Sequence, residues 1–303
     1  MKRFIIVVFA ICLSLTLSAQ ITMEKEEEGL LFLEKGEKVM FYQIEPKNQN
    51  GQFERCHYFH PVWGIDGNII SEDFPPDHLH HRGIFWAWHQ LWIDGRRIGD
   101  TWALKNFEQE VTYTRFSAGD KGVGVLVTQV DWKSDNWIKN DKKSPFLKET
   151  STITIHPRQK KLRRIDFEIS LLALEDNLTI GGSEDEKGYS GFSVRVILPE
   201  DILFSGPDGV VEPKITAVES PGYINMSGSM GAKGRKAGVV ILDHPFNPGF
   251  PQPWILRASK SMQNAAFPGN QVVRIPTEKP LVLKYSVLIY KGKMSDKQIR
   301  RFK

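Results

Sequence analysis

Apolar and polar residues alternate with a period of two through much of the chain, which is the spacing of a half-buried β-strand. The clearest run is 164–172, where Ile165, Phe167, Ile169 and Leu171 take one parity and Arg164, Asp166, Glu168 and Ser170 the other. Comparable runs predict strands over residues 110–116, 123–132, 150–156, 192–198, 237–242, 272–275 and 281–290. Segments 30–33 and 39–42 flank a turn at Gly36 and predict a hairpin. Residues 84–93 predict one central strand covered on both sides, because Phe85, Ala87, Leu91 and Ile93 share one face while Trp86, Trp88 and Trp92 share the other. Asp94-Gly95 then turns the chain, and Thr101-Trp102 is expected on the partner strand. The one helical signal is the capping box of Ser295 and Gln298 near the C-terminus. These elements predict an all-β fold, a large antiparallel β-sandwich with a short C-terminal helix, forming one domain over residues 20–303.

The first nineteen residues break the pattern. Lys2 and Arg3 precede an apolar run over 4–17, and Leu17-Ser18-Ala19 ends in a small residue, so 1–19 reads as a secretory signal peptide. The run falls short of the roughly 20 residues needed to span a bilayer. A periplasmic or secreted protein is expected, with no membrane contact after cleavage. Cys12 belongs to the signal, which leaves Cys56 without an internal disulfide partner. The net charge of +4 includes Lys2 and Arg3, and the other basic residues are scattered along the sequence, so no nucleic-acid partner is expected.

Three loops carry the candidate chemistry. Asp77-His78-Leu79-His80-His81-Arg82 packs three imidazoles between an acid and a guanidinium, after prolines that exclude helix. In an extended chain His78 and His80 point one way and His81 the other, so at most two converge without a bend. Imidazole titrates near neutral pH and suits acid–base work, which makes His80 and His81 catalytic candidates and Asp77 and Arg82 substrate-binding ones. His78 and His80, joined by Asp77, His81, His57 or His60, are also candidate ligands for a divalent metal, although the spacing matches no specific metal motif. The second loop, 181–191, is rich in glycine and offers Asp185 as a carboxylate and Tyr189 as a binding group, with Arg195 on the following strand. The third, Asp243-His244-Pro245-Phe246-Asn247-Pro248, is stiffened by proline and adds Asp243 and His244 as catalytic candidates and Asn247 as a binding one. Most tryptophans are expected to fill the space between sheets, with Trp86 or Trp254 stacking on a ring. His89 shares a face with Leu91 and is left out of the site.

Taken together, Asp-His-x-His-His-Arg-Gly at 77–83, the Gly-Tyr-x-Gly loop at 188–191 and Asp-His-Pro-x-Asn-Pro at 243–248 resemble the bacterial family usually labelled methane oxygenase PmoA-like, over about residues 42–290. That resemblance implies secretion, a β-rich fold and company with sugar-processing enzymes. It does not imply an integral membrane oxygenase, which needs several spanning helices. The layout is also similar to the galactose mutarotase-like supersandwich, in which histidines and an acid act on a sugar in an open groove. The expected function is an exported carbohydrate-active protein, a hydrolase, lyase or isomerase using His/Asp acid–base chemistry on a sugar or modified sugar. The alternatives are a metal-dependent hydrolase, lyase or oxygenase and a non-catalytic glycan-binding module.

Overall fold

The computed structural model describes residues 20–302. The expected signal peptide and Cys12 lie outside those residues. Two antiparallel sheets face each other, as the alternation predicts. The larger has nine strands, in the spatial order Glu108–Ala118, Gly124–Lys133, Leu147–Ile155, Leu162–Ala173, Leu281–Lys291, Arg235–Asp243, Tyr223–Gly231, Leu203–Gly206 and Gly209–Val210. The other has eight, in the order Ile21–Lys25, Gly29–Glu34, Glu37–Gln43, Tyr58–Val62, Ile84–Trp88, Ser190–Val194, Gln263–Ala265 and Trp254–Ile255.

Strand parity decides what lies between them. Ile165, Phe167, Ile169 and Leu171 point inward and meet Trp86, Phe192 and Tyr285; the Phe192 and Tyr285 rings stack at 4.6 Å. The opposite parity, Arg164, Asp166 and Glu168, forms the outer face of the nine-stranded sheet. Strand Ile84–Trp88 is buried on both faces as expected: Trp86 and Trp88 enter the main core, while Phe85 and Ala87 join a second cluster with Tyr58, Trp102, Ile255 and Met262.

The central strand over 84–93 is not continuous, however. It breaks at His89, and Gln90–Ile93 joins a separate sheet of four strands with Val272–Arg274, Thr179–Gly181 and Arg96–Gly99. The cause is local. Thr101 N and Trp102 N both donate to Trp88 O, and Thr101 Oγ1 accepts from Trp88 N, so the backbone groups that would extend the strand are already bonded. Thr101 and Trp102 therefore cap the strand end instead of lying on its partner strand, which is Arg96–Gly99. The strand expected over 192–198 likewise ends at Val194. The C-terminal helix is one turn, Asp296–Ile299, with the capping box in place. Among the described residues no helix is long and apolar enough to cross a membrane.

Candidate functional site

Loop 72–83 leaves the eight-stranded sheet and returns to it at a single residue. Glu72 N donates to Arg195 O, and Arg195 N donates to Gly83 O at 2.7 Å. Gly83 has to be glycine at this crossing, since a Cβ would sit 2.1 Å from Phe59 O. Within the loop, His78 N bonds Pro75 O and His81 N bonds His78 O, each at 2.9 Å, so the chain turns twice. These bends lift the limit that an extended chain would set, and all three histidines meet. The His78 and His81 rings stack at 4.6 Å, His80 meets His81 edge-on at 4.6 Å, and His78 and His80 lie 5.7 Å apart.

Charge fixes this wall. The Arg195 guanidinium bonds both Asp77 oxygens at 3.0 Å and Glu72 Oε2 at 2.7 Å. The alternation placed Arg195 away from Phe192 and Val194, and it does lie on the outer face, but as an internal brace in place of a free substrate clamp. Asp77 in turn accepts from His78 Nδ1 at 2.7 Å. Burial pushes the Asp77 carboxyl upward, but the bonds from His78 and Arg195 outweigh it and hold the group below the usual carboxylate range. His78 keeps 42% of its side-chain surface exposed, and its Nε2 makes no hydrogen bond among the described residues.

The other two imidazoles are less available. His80 is half-buried, and burial together with the charges of His78 and Arg55 lowers its pKa to about 4. His81 is 2% exposed, with Nδ1 3.3 Å from Arg195 Nη1, and burial depresses it further, so it stays uncharged. Arg82 is fully buried. It bonds the carbonyls of Leu79 and Phe53, sits over the Phe74 ring at 3.5 Å and lies 3.3 Å from Asp73, too poorly aligned for a hydrogen bond, so it builds the loop and does not reach substrate. Among the described residues no three His, Cys, Asp or Glu side chains are placed to hold a metal ion together. His78 and His81 stack face to face, His60 bonds Ser71, and His57 is sealed between the sheets, so the proposed ligand sets do not assemble.

The second loop reaches this wall through aromatic contacts. Trp102 lies 6.2 Å from His81, 5.4 Å from His89 and 5.6 Å from Tyr189, whose hydroxyl accepts from Arg257 at 2.8 Å. His89, set aside in the sequence, thus borders the site, its Nδ1 donating to Asp100 at 2.9 Å. Asp185 caps its own turn: it accepts from Ser183 Oγ at 2.6 Å and from Lys187 N, and the Ser183 bond leads in lowering its pKa.

The third loop lies elsewhere. The charged groups that act on His244 are Lys284, Arg164 and Asp166, on the outer face of the nine-stranded sheet, whereas His81 and Arg195 lie on the outer face of the eight-stranded one. The pairing expected between the His78–His81 cluster and His244 is therefore not formed, because the core separates them. Asp243 is buried, and desolvation raises its pKa to about 6 against the bonds from Gln252 N and Asn247 Nδ2. Asn247 also exchanges two 2.7 Å bonds with the Lys284 backbone, so this acid and amide fasten the loop. The two tryptophans proposed to stack on a ring are buried. Trp86 Nε1 donates to Glu149, and Trp254 Nε1 donates to Ser220 O.

One constellation escaped the sequence. At the centre of the sandwich Glu149 accepts from His57 Nε2 at 2.6 Å, Ser151 Oγ at 2.5 Å, Trp86 Nε1 at 3.0 Å and Trp132 Nε1 at 3.1 Å. His57 Nδ1 then meets Tyr42 Oη at 2.7 Å, and Tyr42 meets Thr128 at 2.9 Å. A signal was present: Glu149 and Ser151 share the inward parity of Leu147, Ile153 and Ile155. Cys56, next to His57, is free and buried, and burial pushes its thiol up to about 12.

Comparison with curated proteins finds no match. A family profile matches residues 29–302, nearly all of the described chain, and the matching family carries no assigned activity. The chain thus belongs to DUF6807, a family of unknown function.

Proposed function

We propose that the protein is an exported carbohydrate-active enzyme in which His78, oriented by Asp77, is the acid–base group. The observation that carries this reading is the line Glu72, Arg195, Asp77, His78, in which the buried Arg195, itself bonded to Glu72, fixes Asp77, Asp77 fixes His78 Nδ1, and His78 Nε2 is left without a hydrogen bond among the described residues. A carboxylate on Nδ1 fixes the ring and its tautomer and leaves Nε2 to exchange a proton with a substrate hydroxyl. His80, uncharged at neutral pH and half-buried beside it, can both donate to and accept from a hydroxyl. The likeness of the three motifs to a secreted family associated with sugar-processing enzymes, and of the layout to mutarotase-like sandwiches, favours a sugar as substrate and the periplasm or medium as location.

Incubating the protein lacking residues 1–19 with mixed mono- and oligosaccharides, and reading products by mass spectrometry, tests the proposal. Conversion by the wild type that disappears in His78→Ala supports it. Conversion that His78→Ala retains in full sinks it. The competing glycan-binding reading expects ligand-induced stabilisation without any product.

A further inference from the structure

We propose that a cleft between the C-terminal helix and the outer face of the nine-stranded sheet binds acidic oligosaccharide chains, at a place separate from the His78 wall. Lys160 and Lys161 come from the turn before strand Leu162–Ala173, Lys291 and Lys293 from the end of Leu281–Lys291 and beyond, and Arg301 from the terminal segment. All five line one cleft that, among the described residues, has no Asp or Glu in its wall. Lys291 reaches Asp66 at 2.7 Å outside the cleft; Lys160, Lys161, Lys293 and Arg301 make no ion pair among the described residues. Elsewhere on the surface, lysines and arginines such as Lys236, Lys284 and Arg300 face carboxylates. Four like charges gathered without a carboxylate partner among the described residues, with Lys291 beside them, repel one another and do not stabilise the fold, so the arrangement calls for an anion from outside.

The remaining wall narrows the class. Leu162, Met294 and Phe302 give an apolar floor, Gln159 adds an amide that can donate to and accept from hydroxyls, and Gln298, whose Oε1 is held by Ser295, adds an amide NH2 that can donate. Phe302, Gln159 and Leu162 also border a smaller neighbouring cavity with His156 and Arg164, so the concavity continues along the sheet. A concave channel with an apolar floor fits a narrow chain better than a flat lipid surface. Four lysines against one arginine lack the guanidinium forks that phosphate recognition favours. Carboxylates, hydroxyls and a ring face on one narrow chain describe an oligosaccharide of sugar acids.

The experiment measures binding of an oligogalacturonate, and of its fully methyl-esterified counterpart, to the protein lacking residues 1–19 at low salt. The comparison variants are K160E/K161E/K293E, Phe302→Ala and His78→Ala. We expect the acidic oligomer to bind, the ester to bind at least about tenfold more weakly, and added salt to weaken the acid form. The charge reversal should cost about tenfold or more and Phe302→Ala a few-fold, with His78→Ala unchanged, so that failure of the acid–base reading leaves this one standing. Melting temperatures of the lysine variants guard against misfolding, since these side chains support no packing. Equal binding of acid and ester, equal binding by the charge-reversed protein, or equal binding of a single-stranded oligonucleotide of the same charge overturns the proposal.

Discussion

Two histidine–carboxylate pairs sit on opposite faces of the eight-stranded sheet, and their bond lengths are almost the same. His57 meets Glu149 at 2.6 Å, and His78 meets Asp77 at 2.7 Å. Their surroundings differ. Glu149 takes four donors in a fully buried space, and the far nitrogen of His57 is already bonded to Tyr42. Burial would raise the Glu149 carboxyl, but His57 and the added hydrogen bonds hold it below the usual range. Asp77 is as firmly braced by Arg195, but the far nitrogen of His78 faces solvent. The same pair of groups is thus a structural tie when every valence is used and, on the function proposed above, a chemical tool when one is left open.

The largest effect expected from this contrast is on stability. Glu149→Ala leaves His57, two indoles and a hydroxyl without an acceptor in the core, and should cost about 3–5 kcal/mol in denaturant unfolding. A loss typical of a surface substitution would mean that the interior pair is not the tie we describe. His78→Ala is the reciprocal test: turnover on any substrate found should fall about 100-fold or more, equivalent to about 2.7 kcal/mol, while stability moves by about 0.5 kcal/mol or less. A destabilisation like that of Glu149→Ala would place His78 with the structural pairs.

Acid sharpens the comparison further. His80, and more strongly His81, titrate below the unfolded value near 6.5, so the unfolded chain takes up more protons as pH falls. Their contribution is intact above about pH 6.5 and is lost as pH drops toward 4, on the order of 2 kcal/mol for each by pH 5. Asp243 acts in the opposite sense. Its folded pKa is raised to about 6, so its contribution is present at low pH and is lost as pH rises through that value. Melting curves from pH 7 to pH 4 should therefore fall less steeply in His80→Gln than in the wild type; parallel curves would show that the loop does not hold these rings uncharged. The smallest effect belongs to His244→Ala, expected to change stability by about 0.5 kcal/mol or less and to leave turnover alone. A large loss of activity there would restore the third loop to the site.

The sheets were readable because parity along a strand is a local property. Leu162–Ala173 alternates in burial along nearly its whole length, as its sequence does. The break at His89 was not readable, because its cause, the bonds of Thr101 and Trp102 to Trp88, comes from residues twelve or more positions away. Loop 77–83 was found by its histidines, but which one stays open depends on two turns and on Arg195, more than a hundred residues later. The basic residues looked scattered for the same reason: Lys160 and Lys293 become neighbours only when Leu162 pairs with Tyr290.

Because Glu72 and Gly83 both attach to the backbone of Arg195, the loop between them is closed at its base by one residue. The entropy of bringing its ends together is met by the sheet and depends little on what lies between them. Such a loop is insulated from the strands at its base but not from its own braces: a change at exposed Pro76 or at His78 stays local, whereas loss of Asp77 or Phe74 strips a partner from the buried guanidinium of Arg195 or Arg82.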